Sequence, residues 1–394
     1  MTFAPFRSNY PQFVPHQVTV LPTPQRLGAL TDVTGDGVVI AYVDSGFSPH
    51  PDIEGRVILH ADASTHRVIE TLHVPPASPM SWHGQMTSVI GSGDGRSSGG
   101  RFTSIAPRSR LVLVKVSTPE GRVKEPDILR GLRWIYDTRH RSGVRVVNVS
   151  VGGDYVSDDP NHPLHAMVRR LHAAGITVVV AAGNTHAEYM LPPASAPHAL
   201  TVGGYDDQNT TDISQWKLFH HNYACTYEWT EKPEVLAAAA WIASPLLPDS
   251  DTAREVKLLG RLLEARSAAD VLEVLRQGWH TLGLTQEEAH TLTDEVITRL
   301  QARIYEHKVI NEHYQHVDGT SVAAPIVSSV VAQMLEVNPT LRPDDVKHIL
   351  TSTARPLPGV PQHKQGAGCI QPAAAVTMAR GFTASCSHPQ EHTA

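Results

Sequence analysis

Between Gly37 and Asp206 short apolar runs alternate with amphipathic ones. The apolar runs are GVVIAYVD (37–44), RLVLVKVS (110–117), VRVVNVSVG (144–152), ITVVVAAGN (176–184) and ALTVGGYD (199–206). Several are continuously apolar and rich in β-branched residues, as strands covered on both faces are. Between them, EPDILRGLRWIYDTRHRSG sets Ile128, Leu132, Ile135 and Tyr136 on one helical stripe and stops at Gly143, and HPLHAMVRRLHAAG stops at Gly175. A glycine just past a periodic stretch is a helix stop. The alternation predicts βαβ units with right-handed crossovers, hence an α/β fold: a parallel, doubly wound sheet with helices on both faces.

After Asp249 the pattern changes. The segment 249–316 shows helical periodicity and no strand signal; Leu292, Val296, Leu300 and Ile304 step by four along one face. Thr285 and Glu288 have the spacing of a capping box. The α/β pattern resumes at Gly319, and helices are expected in LRPDDVKHILTSTA and GAGCIQPAAAVTMAR. The expected organisation is an N-terminal extension (1–26), an α/β body (27–248 and 317–380), a helical insertion (249–316) and a loose tail (381–394).

Composition narrows the partners. With 41% hydrophobic and 18% charged residues and a net charge of −6, the chain is not expected to bind nucleic acid or an anionic membrane. Its 23 histidines are scattered and form no zinc-ligand spacing. Three cysteines, Cys225, Cys369 and Cys386, do not make a disulfide framework and fit a reducing compartment. MTFAPFRSNYPQFVPHQ lacks the basic-then-apolar order of a secretory leader, and LAAAAWIASPLL (236–247) is too short to span a bilayer and holds a proline. A cytoplasmic location is the expectation.

Open parallel sheets carry their sites beyond the C-terminal ends of the strands. Three such ends are chemically loaded here: Asp44-Ser45-Gly46, Ser150-Val151-Gly152-Gly153 and Ala181-Ala182-Gly183-Asn184. SWHGQMTSVIGSG places His83 at the head of a helix, and HVDGTSVAAPIV places Ser321 at the head of another. A serine at a helix head sits by unpaired N–H groups and the positive dipole end, which suits a nucleophile and equally suits a plain cap. Its potential partners separate the two. A hydroxyl needs a base, imidazole titrates in the right range, a carboxylate fixes its tautomer, and an amide beside a helix-head N–H can hold an oxyanion.

The segments GVVIAYVDSGFSPHPDI, WHGQMTS, VVNVSVGG, VVVAAGN and DGTSVAAP, in this order, resemble the sequence blocks of the subtilisin-like (S8) serine peptidases, intracellular members above all. The Asp–His–Ser order is part of the general template for such triads. The resemblance implies a serine endopeptidase with Ser321 as nucleophile, His83 as general base and acid, and Asp44 as the residue orienting His83. It implies Asn184 and the Ser321 N–H as oxyanion donors. It makes Ser150, Val151 and Gly152 the edge that pairs with an extended substrate, and Ala181, Ala182 and Gly183 a wall of the primary pocket. A peptide or protein is then the substrate, and the chemistry requires no cofactor or metal.

The chain departs from that family in four places. The segment before the first strand is short, and FVPHQVTVLPTP could lie across the cleft as an inhibitory arm or pack on the body. The loop NTHAEYMLPP after Asn184 is short, while Asp154, Asp158 and Asp159 follow the substrate edge. Structural calcium is common in the family; GSGDGRSSGGRFTS offers Asp94 as its one carboxylate, which leaves that ion possible but unsupported. The helical insertion precedes the nucleophile block and is a candidate site for a regulatory protein partner. The alternative function is a catalytically silent relative that uses the cleft and the insertion to bind a protein.

Overall fold

The structure is a computed structural model describing residues 3–71 and 73–383; most of the expected tail, 384–394 with Cys386, lies outside the described residues. The centre is a nine-stranded sheet. Its main strands are β1 (Val39–Asp44), β2 (Val57–Asp62), β3 (Ile69–Thr71), β4 (Arg110–Lys115), β5 (Val144–Val149), β6 (Thr177–Ala181) and β7 (Leu200–Asp206). Three two-residue strands follow, β8 (Lys217–Leu218), β9 (Ala224–Cys225) and β10 (Glu231–Lys232), and then β11 (Val235–Ala238). The order is β11-β7-β6-β5-β1-β4-β2-β3, with β8 paired to β7. All pairings are parallel except β2 with β3 and β7 with β8.

The five apolar runs are thus β1, β4, β5, β6 and β7. The hydrophobic pattern carries no signal for β2, because VILHAD is only partly buried and turns polar after three residues. It carries none for β11, whose VLAA is too short to show a period.

Alternation along β1 divides the core. Ile40 and Tyr42 face one layer; Val39, Ala41 and Val43 face the other. The first layer holds α2 (Ser81–Ser92), α8 (Thr320–Val337), α9 (Pro343–Thr353) and α11 (Pro372–Gly381); the second holds α3 (Glu125–Ser142) and α4 (Pro163–Ala173). Two one-turn helices, α1 (Thr23–Arg26) and α10 (Gln362–Gln365), lie outside these layers. Among the described residues α8 is the one helix long and apolar enough to cross a membrane, and it is 83% buried between the sheet and its neighbours.

The helical segment contains α5 (Asp251–Glu264), α6 (Ala268–Gly278) and α7 (Asp294–Glu306), which enclose a hydrophobic cluster of their own. Its base is a ribbon of β12 (Ile242–Pro245) and β13 (Tyr314–Val317), paired antiparallel. The ribbon corrects the expectation of no strand within 249–316, where β13 falls. Its two halves lie far apart in the chain, so the pairing leaves no local pattern. The Thr285–Glu288 box does form, with Thr285 N–H donating to Glu288 Oε2 at 2.7 Å and Glu288 N–H to Thr285 Oγ1 at 3.2 Å. It closes a single 3-10 turn, and α7 starts afresh with Thr293 accepting from the Val296 N–H.

The N-terminal arm is laid on these helices. The Arg7 N–H donates to Gln301 Oε1 at 2.8 Å, Ser8 Oγ donates to the Val309 carbonyl at 2.5 Å, and Phe6 is buried in the helical cluster. The arm ends in Arg26, fully buried against Asp207 at 2.5 Å. Among the described residues, none of the arm's hydrogen bonds reaches Asp44, His83, Asn184 or Ser321.

Candidate active site

Asp44 is the last residue of β1 and completely buried. Its Oδ1 lies 2.6 Å from His83 Nδ1 and also accepts the Ser45 N–H at 2.6 Å, while Oδ2 accepts from Thr87 Oγ1 at 2.9 Å. An ionised carboxylate can only accept, so Nδ1 carries the proton and Nε2 is left as an acceptor. Burial opposes charge on His83, but the Asp44 charge and hydrogen bond outweigh it and raise the imidazole pKa above its ordinary value.

The geometry depends on how closely α2 docks. His83 lies in the first turn of α2, and Thr87 sits one turn on, on the same face. Gly84 makes room for the approach: a Cβ there would stand 2.1 Å from the Gly46 carbonyl oxygen. Thr87 was not singled out from the sequence, although its four-residue spacing from His83 was the available signal.

Ser321 is the second residue of α8. Gly319 before it has φ +140°, a conformation that favours glycine, and a Cβ would come 3.5 Å from Asn184 Nδ2. Pro325 has no N–H to give the Ser321 carbonyl one turn earlier. Ser150 Oγ donates to that carbonyl instead, at 3.3 Å. In return the Ser321 hydroxyl donates to the Ser150 carbonyl at 3.4 Å. No hydrogen bond joins Ser321 to His83, as is common before a substrate tightens such a site.

Asn184 follows the end of β6. Its Oδ1 accepts both the Thr320 N–H at 2.8 Å and the Thr320 hydroxyl at 3.0 Å. A backbone N–H must meet an oxygen, which fixes the amide orientation and leaves the Asn184 NH2 group without a partner among the described residues. The Ser321 N–H is likewise unpaired. Thr320 Oγ1 also accepts the Gly183 N–H at 3.0 Å, so one side chain ties the end of β6 to the head of α8. Sequence reasoning passed over Thr320 because it valued the serine beside it.

Beyond β5 the chain from Ser150 to Gly152 leaves the sheet. Gly153 N–H bonds the Pro192 carbonyl at 2.7 Å, but the amides of Val151 and Gly152 have no partner among the described residues. Of the expected pocket wall, Ala182 is buried with its N–H on the Val202 carbonyl at 3.0 Å, and Gly183 takes φ +99° against the Asn222 side chain. Asn222 Oδ1 accepts from Thr185 N–H at 2.9 Å and Oγ1 at 2.7 Å, shaping the short loop that follows. Nothing in the sequence marked Asn222.

Other candidates lie elsewhere. Asp94 spends its carboxylate on the Arg96 backbone and guanidinium, at 3.0 and 3.3 Å. His60 is buried in β2 and meets Thr71 Oγ1 at 2.6 Å; burial lowers its pKa to about 4. A His–Ser contact outside this site, His165 Nε2 to Ser195 Oγ at 2.8 Å, is buried, and Nδ1 meets the Asp159 backbone carbonyl rather than a carboxylate.

A mainly parallel sheet whose strand ends gather Asp44, Ser150 and Asn184 opposite two helix heads defines a subtilisin-like α/β protein. The chain belongs to the Subtilase family, peptidase S8, whose sequence profile matches residues 35–368. It is 29% identical over 329 residues to serine protease AprX of Bacillus subtilis (strain 168), covering 81% of this chain and 61% of that protein. It is 31% identical over 180 residues to subtilisin BL of Lederbergia lenta, covering 45% of this chain and 59% of the relative. The chain thus spans about three-fifths of the length of these curated relatives. In fold it is similar to fervidolysin from Fervidobacterium pennivorans (TM-score 0.60, 19% identity, 91% of this chain and 45% of that one). It is also similar to the protease domain of PatA (TM-score 0.59, 21% identity, 89% of this chain and 98% of that one).

Proposed function

We propose that the chain is a serine endopeptidase that hydrolyses peptide bonds through an acyl-enzyme. The observation that carries this reading is the 2.6 Å contact from buried Asp44 to His83, which frees Nε2 as a base beside the helix that bears Ser321. A rotation about the Cα–Cβ bond turns the Ser321 hydroxyl from the Ser150 carbonyl to His83. Nε2 takes the proton as Oγ bonds to the scissile carbonyl carbon, and the imidazolium faces Asp44. The Asn184 NH2 group and the Ser321 N–H receive the oxyanion. His83 returns the proton to the leaving nitrogen as the C–N bond breaks, and water then repeats the sequence on the acyl-enzyme.

The acyl half of the substrate lies along the free amides of Val151 and Gly152, with the side chain before the cut against Ala181, Ala182 and Gly183. The body, 27–248 and 317–380, does the chemistry. The helical insertion, 249–316, gives a narrow substrate choice or a surface for a regulatory protein, as in a processing protease. The resting bond from Ser321 to Ser150 also fits a silent relative that only binds.

Fluorophosphonate labelling with mapping of the modified residue decides. A single adduct on Ser321, lost in Ser321→Ala, is the expected result; no adduct in wild type overturns the enzyme reading.

A further inference from the structure

A cavity of about 680 Å³ opens beside His83, between the loop that leads into α2 and the base of the helical insertion. Pro76, Pro79 and Trp82 form one wall; Leu246 and Leu247 form the other. Its volume is that of a ligand-sized cleft, and these facing side chains are apolar within a mixed lining. The rim carries the Asp251–Arg254 ion pair, and Gln315 adds a polar group at the base beneath Trp82.

Both walls are fixed to the machinery of the cleft. The Gln85 side chain, two residues after His83 on α2, donates to the Leu246 carbonyl at 3.2 Å. Turned to its hydrogen-bonding orientation, the Gln315 amide accepts from Trp82 Nε1 at 3.1 Å and donates to the His307 carbonyl at 3.3 Å. The indole is therefore held by the ribbon under the insertion, and its ring lies 6.3 Å from the His83 ring.

Direction follows from the chemistry proposed above, on which this inference rests. The acyl half runs along Ser150–Gly152. His83 hands its proton to the leaving nitrogen, so the chain beyond the cut departs across His83. The Trp82 ring stands beside that of His83. We propose that this cavity is a specificity subsite for an apolar side chain in the leaving-group half of the peptide, with one wall supplied by the base of the insertion. A peptide with leucine at the right place buries that side chain between Trp82 and Leu247; one with glycine buries nothing.

The test reads binding, so it does not need turnover. Peptides identical in the acyl half carry leucine or glycine at the first, second or third place after the cut, and their affinities are measured on Ser321→Ala. At one place leucine should bind about ten-fold more tightly, the worth of one buried aliphatic side chain. Adding Trp82→Ala should flatten that ratio, and Leu247→Ala does the same should the first variant not fold. Equal affinities at all three places, or a leucine preference that survives in the folded variants, overturn the proposal. Wild-type labelling at Ser321 separates the two readings. Labelling with flat peptide affinities sinks only the subsite; a leucine preference without labelling sinks only the catalysis.

Discussion

Thr320 holds Asn184 by two hydrogen bonds to one oxygen, 2.8 Å from its N–H and 3.0 Å from its hydroxyl, and so aims the free amide nitrogen away from itself. Thr320→Val keeps the N–H bond and the volume but drops the hydroxyl, which also leaves the Gly183 N–H unpaired. If Asn184 holds the oxyanion, kcat should fall about ten-fold with KM little changed, a fraction of what losing such a donor outright costs. Steady-state kinetics on a peptide substrate check this, and an unchanged kcat denies Thr320 a positioning role.

Asp44 sets both the tautomer and the charge of His83. Asp44→Asn should reduce kcat by about four orders of magnitude, because the amide no longer favours the Nδ1–H tautomer. The pH dependence has a definite sign. The neutral imidazole is the base, and its pKa in the fold is raised. Activity should therefore fall as pH drops through a midpoint above about 6.5, and the residual activity of Asp44→Asn should show a lower midpoint. Stability runs the other way. The contribution from charging His83 is complete below its unfolded pKa and is lost as pH rises through the raised value. A kcat/KM profile and denaturation midpoints across the same pH range read the two separately.

Gly84 lets α2 approach the end of β1. In Gly84→Ala the new Cβ would meet the Gly46 carbonyl at 2.1 Å and Asp44 Cβ at 3.0 Å, both parts of the rigid strand end. The helix must shift. The expected cost is about 1–3 kcal/mol in denaturant unfolding. Ser321 labelling should slow by about a hundred-fold, because a catalytic group displaced by one ångström loses that much. Wild-type labelling by a stably folded variant would show that the docking distance is not critical.

Arm residues Phe6 to Tyr10 pack on the helical segment and its ribbon. Removing residues 1–21 takes Phe6, Tyr10 and Val20 from buried clusters and breaks the Ser8–Val309 and Asn9–His316 bonds. The truncated chain should show faster hydrogen exchange in α7 and no faster labelling of Ser321. Faster labelling would make the arm an inhibitor after all.

The sequence by itself determined the layered α/β plan and placed candidate residues at its strand ends and helix heads. Continuous β-branched runs can be satisfied only inside a sheet covered on both faces, and polar residues at their C-terminal ends fall where such sheets expose them. What it could not carry was pairing between distant segments. The β12–β13 ribbon, the Ser150–Ser321 exchange around the carbonyl that Pro325 leaves free, and the Thr320–Asn184 clamp each join residues remote in the chain. The cavity at Trp82 is of the same kind, since its walls meet only once the ribbon has closed. Local propensity records whether a residue suits a strand or a helix head. Which group meets its spare hydrogen bond is decided by the packing of the whole chain.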